Sequence, residues 1–120
     1  MKISEIEITS ETILLGVFGT KTYEYFKSKN ISSWGDYIYA LTPITPPNGY
    51  FSGVARYVYA ALIKCDKVIF VLDEVHFPID IKRSITCEEL KLICQHEEFF
   101  KKTVFVKGDN VINFDKNLVS

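Results

Sequence analysis

Cysteine is scarce in this chain, Cys 3 in 120 residues, and no two cysteines stand as a C-x-x-C pair. An odd, unclustered set argues against a secreted disulfide framework and for a reducing, cytoplasmic setting. Long apolar runs are also missing. None approaches the ~20 residues that a membrane span needs, and Met1-Lys2-Ile3-Ser4-Glu5 does not read as the start of a signal peptide. Nor is there an excess of positive charge. Lys+Arg 14 against Asp+Glu 15 leaves a net charge of -1. That balance offers nothing to neutralise a phosphate backbone, so neither nucleic acid nor membrane is expected as a partner. No internal repeat, low-complexity stretch or polar linker divides the chain.

What is present is core material. The sequence is 48% hydrophobic, with Phe 9, Tyr 7 and Trp 1, which excludes disorder. A chain of this length makes one domain, 1–120, and buries enough surface to fold without disulfide or metal staples.

Local patterning assigns most of the elements. Ile6 and Ile8 alternate with Glu5 and Glu7, so Ile3 to Thr9 is expected as a half-exposed edge strand. Thr12 to Phe18 is almost continuously apolar and suits a strand buried on both faces. Thr20 or Thr22 would cap a helix running to Lys29, with Asn30 as its stop. Trp34 to Leu41 holds Tyr37, Ile38 and Tyr39 and is expected as a strand. Pro43, Pro46 and Pro47 then impose a stiff loop. A helix is expected from Ser52 or Gly53 through Leu62, and a buried strand over Lys67 to Leu72. Cys87, Leu90, Ile93 and Cys94 mark one face of a helix starting at Thr86. Glu97 to Lys102 reads as a helix end whose dipole its lysines complement. Strands follow at Thr103 to Val106 and Val111 to Phe114, with a loose tail from Asp115.

Alternating strands and helices with unbroken apolar strands define the expected fold. It is an α/β domain of Rossmann-like, three-layer type, with a mostly parallel sheet of four to five strands and an antiparallel edge. Such sheets bind ligands outside the carboxyl ends of their strands. Those ends are Gly19-Thr20, Leu41-Thr42-Pro43 and Asp73-Glu74. Asp73 and Glu74 are candidates for general acid or base work, or for holding ribose hydroxyls. The plainer reading is a solvated strand end.

Ser84-Ile85-Thr86-Cys87-Glu88-Glu89-Leu90 is the most suggestive stretch. Thr86 and Glu89 have the T-x-x-E spacing of a capping box, which by itself explains the pair. The functional alternative makes Glu89 a nucleophile or electrostatic stabiliser, kept ionised at a helix start. Taken with Asp66, the strand Val68 to Leu72 and the strand Thr103 to Val106, this stretch resembles the nucleoside 2-deoxyribosyltransferase family. Thr86, Glu89 and Leu90 fall on that family's T-x-x-E-L pattern, and Asp66 on the Asp before its central strand. Ile85, Arg83 and Lys91 depart from its Gly, second Asp and final Gly. The segment is also similar to Toll/interleukin-1 receptor-type domains, with Ser84, Cys87, Glu89 and Leu90 in loose correspondence. Both resemblances span 66–106. They imply a Rossmann-like fold and action at N-glycosidic bonds of nucleosides or nucleotides, by deoxyribosyl transfer or nucleotide hydrolysis. On that reading Glu89 is the nucleophile, Asp66 and Asp73 orient sugar or base, and Glu74 serves as acid or base.

Other groups are weaker pointers. Arg56 with Tyr50, Tyr57 and Tyr59 has the chemistry to bind a phosphate and stack a base, although core packing explains most of that set. Gly16-x-x-Gly19-Thr20 after a strand is an incomplete phosphate-cradling turn. Cys65, Cys87, Cys94, His76 and His96 show no zinc-like spacing, and no metal or cofactor is expected. The competing class is an interaction protein without catalysis, such as an immunity protein neutralising a bacterial toxin. Tyr23, Tyr25, Trp34, Tyr37, Tyr39 and Tyr50 would supply its contact surface. A usage rich in Lys, Asn, Ile, Phe and Tyr fits an A+T-rich bacterial or phage gene. As an enzyme, so small a domain would rely on homo-oligomerisation to complete its site.

Overall fold

A computed structural model describes residues 1–29, 31, 38–47, 53–73 and 85–119. Its centre is a four-stranded sheet of β1 (Thr12–Gly16), β2 (Lys67–Val71), β3 (Thr103–Lys107) and β4 (Asn110–Ile112), lying side by side in chain order. β1, β2 and β3 are parallel, with Leu14 opposite Ile69 and Phe70 opposite Phe105. β4 returns antiparallel through a hairpin that pairs Lys107 with Asn110. The α/β class, the mostly parallel sheet and the antiparallel edge are therefore as expected. Among the described residues no helix is long and apolar enough to cross a membrane.

Residue alternation along the strands divides the core in two. Ile13, Leu15, Val68, Phe70, Leu72 and Phe105 face one side. There they pack on Val58, Ala61 and Leu62 of α2 (Gly53–Lys64), Leu90 and Ile93 of α3 (Ile85–Gln95), and Phe99 of α4 (Glu97–Lys101). Leu14, Ile69, Val71 and Val106 face the other side, against Ile3, Ile31 and the Tyr23 and Phe26 of α1 (Lys21–Lys27). Helices thus cover both faces, which is why Ile13–Leu15, Val68–Val71 and Val104–Val106, in the middle of the parallel strands, are apolar throughout.

Several expected elements take another form. The Ile3 to Thr9 edge strand is absent; Ile3–Glu5 is a 3-10 turn, in which the Ile6 amide donates to the Ile3 carbonyl. The turn drives Ile3 into the core beside Leu14, whereas the alternation that suggested a strand leaves Ile8 exposed. Only Lys2 adds to the sheet, bridging Asn110. Of the expected strand Trp34 to Leu41, residues 34–37 lie outside the described set, and Ile38–Ala40 forms a 3-10 turn. Ile38 is fully buried in the α2 and α3 core while Tyr39 is exposed, so burial at one point outweighs strand preference. α3 begins at Ile85, which puts Thr86 inside its first turn instead of at the cap and removes the expected capping box. His96, in extended conformation, separates α3 from α4. Within the tail from Asp115, Lys116–Val119 forms a 3-10 turn, and Lys116 Nζ lies 2.9 Å from Glu97 Oε2.

Candidate functional site at the carboxyl edge of the sheet

At the carboxyl ends of β1, β2 and β3 lies a cleft of ≈ 490 Å³ lined by Gly19, Thr20, Lys21, Thr22, Asp73, Gly108 and Asp109. Three local features build it. After β1 the chain turns through Gly19, whose φ of 77° is open to glycine at little cost. Thr20 then caps α1: its Oγ1 accepts the Tyr23 amide at 3.3 Å, and its carbonyl accepts the Glu24 amide at 3.0 Å. After β3, Gly108 (φ 59°) takes the first central position of the hairpin loop, where a positive φ suits the twist of the strands.

Gly108 also links the walls. Its amide donates to Asp73 Oδ1 at 2.8 Å, and its carbonyl accepts the Thr22 hydroxyl at 3.0 Å. The end of β2, the start of α1 and the β3–β4 turn are thereby held as one unit. A Cβ on Gly19 or Gly108 would meet nothing within 4 Å, so the backbone at both positions borders open space. Among the described residues, the charged groups of the lining are Lys21, Asp73 and Asp109.

The structure brings together three of the expected residues, Gly19, Thr20 and Asp73. Asp66 lies at the other end of β2, accepting a hydrogen bond from Thr9 Oγ1, about 20 Å of strand away from Asp73. Arg56 is exposed on α2, on the face of the sheet opposite α1. Glu89 is 1% exposed on α3 and is not among the lining residues of the cleft, and neither is the half-buried Thr86. Glu74 and Tyr50 lie outside the described residues. Lys21, Thr22, Gly108 and Asp109 were not anticipated. The rule that selected the ends of the earlier strands, applied also to Thr103 to Val106, would have reached Gly108 and Asp109.

The remaining candidates resolve differently. Tyr23 is buried, Tyr25 half-buried and Tyr39 exposed, while Trp34, Tyr37 and Tyr50 are outside the described set. Tyr57 and Tyr59 pack against the larger core, Tyr59 edge-on to Phe99 at 5.7 Å. Among the described residues no group of three or more His, Cys, Asp and Glu is placed to hold a metal ion. Burial pushes the Cys65 thiol up, and it pushes Cys94 up to about 11. Burial thus disfavours the thiolate form that a nucleophile needs at both positions. A second hollow of ≈ 260 Å³ is lined by Phe100, Phe105 and Phe114 among others, with Thr103 and Asn113 as its polar residues among the described ones.

No protein family, curated protein or solved structure matches the chain.

Proposed function

We propose that the chain is a nucleoside- or nucleotide-binding domain of Rossmann-like type, with its ligand in the carboxyl-edge cleft. The observation that carries this reading is the junction at Gly108, which joins Asp73, Thr22 and the α1 turn around one open, polar space. Open α/β sheets bind ligands at this edge. The volume of ≈ 490 Å³ suits one nucleoside-sized molecule. Asp73 and Asp109 supply carboxylates that accept from sugar hydroxyls, while the buried Thr20 and Thr22 hydroxyls, bonded to the Val17 and Gly108 carbonyls, hold the walls in place. The Asp73 carboxylate is held in place by the Gly108 amide and is the group best placed to face a developing oxocarbenium ion, should an N-glycosidic bond be cleaved.

The test is a titration of isotopically labelled protein with adenosine, thymidine and their 5′-monophosphates, followed at the Gly19 and Gly108 amides. Saturable shifts at both are expected. Base release from deoxynucleosides or NAD, lost in Asp73→Asn, would extend the reading to catalysis. A second reading, a partner-masking protein, is favoured by the exposed Tyr39 (51%) and Ile44 (41%) beside Arg56, whose carbonyl accepts the Ile44 amide at 3.1 Å. Silence of the cleft amides towards every compound would leave that second reading standing.

A further inference from the structure

The charge of the cleft goes further than its shape. Resting on the nucleoside-binding reading, we propose that the cleft selects a neutral nucleoside over its 5′-phosphate, and that Asp109 sets this preference. Among the described residues, the lining carries two carboxylates, Asp73 and Asp109, against one ammonium, Lys21. Lys107, the cation at the hairpin turn, is not part of the lining. The two carboxylates are not equivalent. Asp73 is half-buried and already receives the Gly108 amide, which offsets part of its charge. Asp109 is exposed, and its side chain has no hydrogen bond or ion pair among the described residues, so no fixed protein partner there offsets its charge.

A phosphate monoester carries about two negative charges near neutrality. Lys21, also exposed and without an ion pair among the described residues, neutralises at most one of them. The other meets Asp109 across an aqueous cleft, where one close like-charge contact weakens binding about fivefold. A neutral sugar hydroxyl suffers no such repulsion and donates to either carboxylate.

The same four compounds test this. At low salt, adenosine and thymidine are expected to bind about fivefold tighter than their monophosphates, with the gap closing at ~1 M salt, where the screening length is about 3 Å. Asp109→Asn is expected to lower the ratio of nucleoside to monophosphate affinity by about fivefold. Monophosphates binding as tightly as nucleosides, or a ratio unmoved by Asp109→Asn, would overturn the charge preference while leaving the binding reading intact. No shift of the Gly19 and Gly108 amides with any compound would overturn the binding reading itself.

Discussion

The Gly108 amide donates to Asp73 Oδ1 at 2.8 Å, although the two residues stand 35 positions apart. This bond fixes the hairpin turn to the end of β2, and with it one wall of the cleft. Asp73→Ala removes the acceptor of an exposed amide that water can reach, and is expected to cost about 1 kcal/mol in denaturant unfolding. Asp73→Asn keeps an acceptor and should recover most of that loss. Equal destabilisation by both variants would show that the bond contributes little.

Glycines 16 and 19 both have positive φ, at 112° and 77°, yet they should differ sharply when replaced. A Cβ on Gly16 would lie 2.2 Å from the Val71 carbonyl oxygen, because the ends of β1 and β2 approach through their backbones. Gly16→Ala is expected to cost about 3 kcal/mol or more, combining a steric clash with an unfavourable backbone angle. Gly19→Ala meets open space and should cost only about 1 kcal/mol, from φ alone. Thermal unfolding of the two variants side by side checks the difference.

Phe70 and Phe18 make a similar pair. Phe70 is fully buried between the sheet and its helices, and Phe70→Ala should cost about 3–5 kcal/mol. Phe18 is 55% exposed and touches Tyr23 edge-on at 5.0 Å. Phe18→Ala should cost about 1 kcal/mol or less, the worth of one partly solvated aromatic contact. Comparable losses would mean that Phe18 is covered in solution.

Cys94 adds a pH dependence. Burial raises its thiol from 9.0 to about 11, against a smaller opposing effect of Lys116. A raised thiol pKa means that the folded state holds the proton more tightly than the unfolded chain. The associated stability is complete below pH 9 and is lost as pH rises towards 11. Unfolding midpoints should therefore fall between these values, and Cys94→Val should flatten part of the fall. Cys65, shifted in the same direction, accounts for a further share. Alkylation of Cys94 at pH 8 should be slow, since little thiolate is present. An unchanged slope in Cys94→Val would show that its proton is not coupled to folding.

Strands β1 and β2, helices α1 and α2 and the hairpin after β3 are legible in the sequence, because apolar runs, helical spacing and turn residues are properties of neighbours in the chain. Thr20 was readable as a cap for the same reason: the amide it accepts is three residues away. Errors arose where a distant contact decided a local question. Ile3 was assigned to a strand, but the core formed by Leu14, Val71 and Val106 draws it into a turn. Ile38 sits in a turn because α2 and α3 offer it a buried position.

The candidate site divides along the same line. Asp66 and Asp73 are close in sequence, and the resemblance gives both the task of orienting sugar or base, yet an extended strand places them at opposite ends of the sheet. Gly19, Asp73 and Gly108 are far apart in sequence, yet parallel register brings their strand ends to one edge. Composition and periodicity were sufficient for the α/β class, since apolar strands must be covered on both faces. Which loops meet, and which charges confront a ligand, depended on strand order and register, and those arise only when segments remote in the chain pack together.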